Sequence, residues 1–247
     1  MLVLPWHIRD RLADDLNATL PRDLSTIDAA PQIGGDVWAD VIPLYIAVRD
    51  AVSRGPGRPI VFSGDCVTAL AVLAAVQQRG GDPSLVWIDA HGDFHTEQTT
   101  ASHYAGGLPL AKAVGRGDLT LPEALGLLPL DETRAVLVDG RDLDPPEADA
   151  LNASRVRRVA LGELQDALPD GPVHLHVDLD VIDPSLLPGL RFPAPGGAFH
   201  AALREAVRAV VANRPVAAVS IAGTWTMEQS LRDRNDAALG CVLAGLG

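Results

Sequence analysis

The chain has 247 residues, 47% of them apolar and 21% charged, with a formal net charge of −12. That length supports one large α/β domain with a sizeable core. The acidity argues against nucleic acid and anionic membrane as partners and suits metal cations or cationic small molecules. Two cysteines, Cys66 and Cys241, make no disulfide framework. The start "MLVLPWHIRDRLADD" lacks a signal-peptide pattern, and no apolar run reaches the ~18 residues of a membrane span, so a cytoplasmic protein is expected.

In chain order, "LVLPW" (2–6) reads as a first strand, and 36–55 as a helix that Pro43 should interrupt. "PIVFSG" (59–64) is a buried strand and 67–81 a helix ended by glycines. "SLVWIDA" (84–90) is the next strand, and 108–117 a short helix. "RAVLVDG" (134–140) is a strand, followed by a helix opening at Pro145-Pro146. Strands are expected at 156–161 and 172–180, an amphipathic helix at 197–214, a last strand at 215–223 and a helix from Glu228. Alternating β and α with continuously apolar strands means a mostly parallel sheet covered on both faces, a single-domain α/β/α sandwich. No linker, repeat or low-complexity run divides the chain, so 1–247 reads as one domain.

In such sheets ligands bind beyond the carboxyl ends of the strands. Three strand ends carry metal-capable residues: Gly64-Asp65-Cys66, then Asp89, His91 and Asp93, then Asp178, Asp180 and Asp183-Pro184. In an extended backbone, residues i, i+2 and i+4 face one way, so each set converges if its segment stays extended. Either set alone is compatible with a solvated loop or an ordinary Asp-Pro turn. Four carboxylates brought together would resist ionisation, and divalent ions remove that conflict.

These motifs resemble the signatures of the ureohydrolase family, which includes arginase, agmatinase, guanidinobutyrase and formimidoylglutamase. Ser63-Gly64-Asp65-Cys66 resembles G-G-D-H, "DAHGD" (89–93) matches D-A-H-x-D, and "DLDVIDP" (178–184) matches D-x-D-x-x-D-P. The loop "HTEQTTASHYAGGLP" (95–109) resembles the arginase substrate loop, and "PGG" (195–197) before a helix is also family-like. The likeness runs from about residue 60 to 220. It implies an arginase-like fold and a binuclear centre, two divalent ions per chain, manganese first and iron or zinc as alternatives. Asp89 and Asp178 would bridge both ions, Cys66 and Asp93 complete one, and His91 and Asp180 the other. A hydroxide bridging the ions would attack the guanidinium carbon of an arginine-like or Nω-hydroxy-arginine-like substrate, and release urea or a urea derivative. Asp93 would orient it, and Asp183 would hold the turn presenting Asp178 and Asp180. The loop supplies His95, Thr100, Ser102 and Tyr104 as substrate-binding candidates. The partner implied is a small guanidino molecule, and the chain is expected to be a homo-oligomer, without the arginase-type C-terminal extension for trimer contacts.

Three positions depart from the family pattern. Cys66 stands where the first signature has a ligand histidine, and a thiolate shifts preference toward zinc or iron. Gly106 aligns with the histidine that shuttles protons in arginase, leaving His95 and His103 as candidates for that task. A late glutamate that pairs with the guanidinium is missing from "VSIAGTW" (219–225), where Ala222 or a neighbour replaces it, with Glu228 and Trp225 nearby. These losses keep open a catalytically weak or non-catalytic metal-binding relative, and a deacetylase-like amide hydrolase on the same scaffold. His174 and His176 read as core or supporting residues, and Cys241 as packing.

Overall fold

The computed structural model describes residues 1–12, 24–223 and 229–247, the last of these by backbone alone through residue 235. Eight strands form one sheet in the order β4-β1-β5-β10-β9-β6-β7-β8. They are β1 (Leu2–Leu4), β4 (Ser25–Thr26), β5 (Ile60–Ser63), β6 (Ser84–Asp89), β7 (Ala135–Asp139), β8 (Arg157–Val159), β9 (Val173–Asp178) and β10 (Val216–Ala222). Every neighbouring pair is parallel, so all carboxyl ends share one edge of the sheet. A separate antiparallel hairpin joins β2 (Trp6–His7) to β3 (Asp10–Arg11).

The central strands place apolar residues on both faces because both faces are covered. On β6, Leu85 and Trp87 join one core layer, and Val86 and Ile88 the other. The first layer is completed by helices α1 (Val37–Arg54), α2 (Thr68–Gln78), α3 (Pro109–Ala113), α4 (Thr120–Leu125) and α5 (Pro145–Asn152). The second is closed by α6 (Leu164–Ala167), α7 (His200–Asn213) and α8 (Gln229–Leu246). The nine residues from Thr68 to Val76 are all buried, since α2 packs between the sheet and α1 and α4.

Pro43 does not interrupt α1. The helix runs through it because Trp38, Val41, Leu44, Tyr45, Val48 and Val52 form one buried stripe. Each such side chain contributes roughly 1.5–3 kcal/mol, which together exceeds the ~3 kcal/mol that an interior proline costs. Asp36 caps the start, accepting from Trp38 N at 2.8 Å and Ala39 N at 3.0 Å. The expected strand 2–6 breaks after Leu4, and Trp6 starts the hairpin instead. That hairpin docks on the end of β5, where Gly64 N donates to Trp6 O at 3.0 Å. A Cβ at Gly64 would lie 2.5 Å from that same carbonyl oxygen, so only glycine permits the approach. The strands expected at 156–161 and 172–180 are shorter, Arg157–Val159 and Val173–Asp178. The hairpin, β4, α4 and α6 lacked a sequence pattern long enough to announce them.

Candidate metal centre and its cavity

Both ligand segments leave the extended conformation at the strand end, contrary to the expected i, i+2, i+4 arrangement. β6 stops at Asp89, the chain bends at Ala90 and His91, and Asp93 adopts a left-handed φ of 48°. β9 stops at Asp178, and Leu179–Val181 is a single 3-10 turn. The bends occur because each leading aspartate captures a backbone N–H two residues on. Asp89 Oδ1 accepts from His91 N at 2.7 Å, and Asp178 Oδ1 from Asp180 N at 2.8 Å. Asp180 Oδ1 also accepts from Ala90 N at 3.1 Å, tying the two bends together.

The side chains converge all the same. His91 Nδ1 is 2.8 Å from Asp180 Oδ2 and 3.6 Å from Asp89 Oδ1. Cys66 Sγ is 2.9 Å from Asp178 Oδ2 and 3.8 Å from Asp89 Oδ2. Cys66 is placed by Asp65, both of whose carboxylate oxygens are taken up by neighbouring donors. Asp65 accepts from Thr68 N at 3.1 Å and Tyr45 Oη at 2.9 Å with one oxygen, and from Ile8 N at 2.9 Å with the other. It thus joins the start of α2 to the β2–β3 hairpin. Asp93 is buried, and its Oδ2 has no hydrogen-bond partner. Its segment is held by Glu147, whose Oε1 accepts from Phe94 N at 2.8 Å. A Cβ at Gly92 would lie 2.6 Å from the Glu147 carboxyl carbon, which is why glycine stands there.

The electrostatics describe a site short of positive charge. Burial, then the charge of Asp180, pushes Asp178 up to about 7. Burial, then Asp89, raises Asp180 to about 6. Burial also raises Asp89 and Asp93, and lifts the Cys66 thiol well above its usual range. Burial disfavours the charged form of His91, yet its hydrogen bonds to Asp180 and Asp89 outweigh this and raise it to about 12. Among the described residues, the cation hydrogen-bonded to these acids is the His91 imidazolium. Two groups have metal-ligand spacing, Asp89–His91–Asp180 and Cys66–Asp89–His176, each with donor atoms within 4.8 Å of one another. Asp89 belongs to both. Crowded acids, an orphaned carboxylate oxygen at Asp93 and a shared aspartate fit a pair of divalent ions.

A cavity of about 390 Å³ opens above these residues. His95, Ser102 and Tyr104 line it, as Asp93 does, whereas Thr100 and His103 do not. Thr100 is buried, and its Oγ1 accepts from His103 N at 3.1 Å and meets Ser102 Oγ at 3.3 Å, a turn-holding role. His103 is exposed and borders a shallower cavity on the outer side. His95 Nδ1 meets Thr99 Oγ1 at 3.1 Å, and its Nε2 lies 3.5 Å from Asp144 Oδ2. At Gly106 a Cβ would lie 2.5 Å from the Tyr104 ring, so tyrosine fills the space of any side chain there. Tyr104 Oη is 2.9 Å from His7 Nε2, and His7 Nδ1 is 2.6 Å from the Gly64 carbonyl oxygen. Since a carbonyl only accepts, Nδ1 donates to it, and in the neutral imidazole Nε2 receives the Tyr104 proton. Asp183 accepts from Ser185 N at 2.9 Å and from Gly196 N and Gly197 N at 3.2 Å each. It thus ties the turn after Asp180 to "PGG" and does not touch the ligand side chains.

His7, Arg141, Asp142, Asp144 and Glu147 were not expected at the site. Arg141 Nη2 donates to Asp180 O at 3.0 Å and Ala194 O at 2.8 Å, and Nη1 pairs with Asp139. Arg141, Asp142 and Asp144 do carry a sequence signal, since they follow the apolar strand β7 as the metal-capable residues follow β6 and β9. No pattern marks His7, which reaches the site from the hairpin. At the end of β10, Ala222 is buried and Gly223 lines the cavity, while Trp225 and Glu228 lie outside the described residues.

Comparison with known proteins agrees with this architecture. The arginase family profile matches residues 23–222. The chain is 33% identical to an N(omega)-hydroxy-L-arginine amidinohydrolase of Streptomyces lavendulae over 199 residues, 76% of this chain and 70% of that protein. It is 34% identical to an arginase of Bacillus caldovelox over 171 residues, 62% of this chain and 56% of that one. Arginase from Bacillus subtilis superposes with a TM-score of 0.82 at 21% identity, covering 100% of this chain and 97% of the other. The family implies a binuclear metal site, and the ligand groups for one are present. The protein therefore belongs to the arginase family, hydrolases that act on the C–N bonds of linear amidines.

Proposed function

We propose that the protein hydrolyses a guanidino C–N bond in an arginine-like or Nω-hydroxy-arginine-like substrate, releasing urea or a urea derivative. The observation that carries this is the acid-lined cavity standing directly over Cys66, Asp89, His91, Asp93, Asp178 and Asp180. Two divalent ions, manganese by preference and iron or zinc as alternatives, would neutralise these acids and bring the pKa of water toward neutrality. Nω-hydroxy-arginine ranks with arginine because the S. lavendulae relative is named for it.

The residues divide the work by position. Asp93 Oδ2, buried and unpartnered, accepts the proton of the attacking water and orients it toward the guanidinium carbon. Cleavage of the C–N bond leaves an amine that needs a proton. Tyr104 Oη faces the cavity, and when His7 is protonated on both ring nitrogens its Nε2–H donates to Tyr104 Oη, which passes its own proton to the amine where Gly106 cannot. His95 also faces the cavity and, beside Asp144, serves the substrate's distal end; His103 is assigned no part. Asp142 and Asp144, exposed at the rim, attract a cationic substrate. Ser102 supplies a hydroxyl to its polar groups.

Purified protein loaded in turn with manganese, iron and zinc, then offered arginine, Nω-hydroxy-arginine, agmatine and guanidino acids, tests this reading. Urea or hydroxyurea release from one of them is expected. Full metal occupancy with no product from any would overturn it in favour of a non-catalytic metal-binding relative. The buried Ala222 at the end of β10, where the family pattern has a carboxylate partner for the guanidinium, is the observation behind that second reading.

A further inference from the structure

Beneath the cavity, β9 interrupts an aliphatic core layer with two imidazoles. His174 is 0% exposed and His176 1%. Both reach Ser220 Oγ, His174 through Nε2 at 2.9 Å and His176 through Nδ1 at 2.8 Å. His176 Nε2 is left with no hydrogen-bond partner although it is fully buried. One ring nitrogen of His176 lies within 4.8 Å of both Cys66 Sγ and an Asp89 oxygen, which are equally close to each other, and with Nδ1 taken up by Ser220 the nitrogen left for them is Nε2. The Trp87 ring rests against the imidazole, centroids 3.9 Å apart, while Trp87 Nε1 donates to Asp89 Oδ2 at 3.0 Å. Packing and hydrogen bonding thus aim an unsatisfied nitrogen at a thiol and a carboxylate.

We propose that His176 Nε2 is a metal ligand, completing with Cys66 and Asp89 the inner set of one of the two ions. The imidazole absent at residue 66 is thereby supplied from residue 176, by a different strand. The inference rests on the two-ion reading above and adds a ligand to it. Ligation requires a lone pair on Nε2, so His176 carries its proton on Nδ1 and donates it to Ser220 Oγ. Ser220 has one proton and passes it to His174 Nε2, which places the His174 proton on Nδ1. Removing the ion frees the chain to reverse, with His176 Nε2–H facing Asp89 and Cys66. Ser220 therefore makes the His174 tautomer a reporter of the metal. The donor sets also differ: sulfur, nitrogen and oxygen favour zinc or iron at the Cys66 position, while Asp89, His91 and Asp180 suit manganese.

The test strips the full-length protein of metal and measures zinc and manganese binding to wild type, His176→Asn and Cys66→His/His176→Asn. Asparagine retains an amide near the Nδ1 position for Ser220 but lacks Nε2. His176→Asn is expected to weaken one ion by at least about tenfold, zinc more than manganese, with the other ion little changed. Returning an imidazole at residue 66 in that background restores the lost affinity. Nitrogen NMR of the histidines in wild type alone, with and without zinc, needs no variant and should show the His174 tautomer switch. Two ions bound equally by wild type and His176→Asn, or a His174 tautomer indifferent to zinc, overturn the proposal while the two-ion reading stands. A single wild-type ion that His176→Asn releases supports the proposal and overturns the two-ion reading; no ion in wild type overturns both.

Discussion

On the floor of the cavity, Asp89, Asp178 and Asp180 are fixed by backbone N–H groups within their own segment or the adjacent strand end. Asp89 is held by His91 N, Asp178 by Asp180 N, and Asp180 by Ala90 N. At the rim, His7 comes from the hairpin, Tyr104 from the loop after β6, Asp144 from the loop after β7, and Phe192 from the turn after β9. The rim is held by contacts between side chains, such as Tyr104 Oη with His7 Nε2 and the Tyr104 and Phe192 rings with centroids 4.7 Å apart. Under the proposed function the floor would tolerate little change, because moving any acid would alter the charge and geometry presented to the ions. Under the same proposed function the rim would carry selectivity, since its members come from loops and the hairpin and not from the central strands.

Changes on the floor should therefore dominate. Asp178→Asn removes a carboxylate held between Cys66 and the Asp180 backbone, and should lower urea or hydroxyurea release by roughly a thousandfold with loss of bound metal. Elemental analysis beside the activity assay checks both parts. Retained metal and activity within tenfold of wild type would erase the proposed division between floor and rim.

The floor should also govern pH dependence when metal is absent. Asp178 at about 7 and Asp180 at about 6 lie above their unfolded values, so the native state holds more protons than the unfolded one across roughly pH 4 to 7. Stability of the metal-free protein should fall as pH rises through that window, by on the order of a few kcal/mol. His91, raised to about 12, extends the decline above its unfolded value near 6.5. Denaturant titrations at pH 5 and pH 8 measure this, and saturating manganese should abolish the loss. A metal-free protein more stable at pH 8 contradicts the account.

At the rim, Gly106→Ala places a methyl group 2.5 Å from the Tyr104 ring. A cost of ~1–3 kcal/mol in stability is expected, together with lost activity and unchanged metal content. Tyr104→Phe keeps the ring and removes the proton, so kcat should drop roughly 10- to 100-fold with little change in metal affinity. Steady-state rates would count against the Tyr104–His7 pair if kcat held. Asp144→Asn is the mildest change. Its side chain is 72% exposed, so KM for a cationic substrate should rise only about threefold, and less at high salt.

The same contrast explains what could be read from the residues in order. The floor acids sit in two short motifs at the ends of very apolar strands, so Asp89, His91, Asp93, Asp178 and Asp180 are legible from the chain of residues alone. Their local conformation is not. Extended spacing was the reason to expect convergence, yet each segment bends, because an aspartate side chain competes for the nearby N–H groups. Pro43 shows the same limit in the fold, where a local rule yielded to a buried stripe formed only on packing. His103 and His95 looked equivalent on one loop, and the turn through Thr100 and Ser102 sends one outward and the other to the cavity.

The sequence by itself determined the α/β class, the parallel sheet, the family and the acid-rich set of metal-capable residues. Hydrophobic periodicity and strand-end chemistry are local properties that survive without knowledge of neighbours. The tertiary structure alone decided that His7 stands behind Tyr104, that Asp142 and Asp144 rim the cavity, and that His176 stands beside Cys66 and Asp89. Those relations join residues on different strands and loops, and they come into being only when the sheet orders its strands and brings their carboxyl ends to one edge.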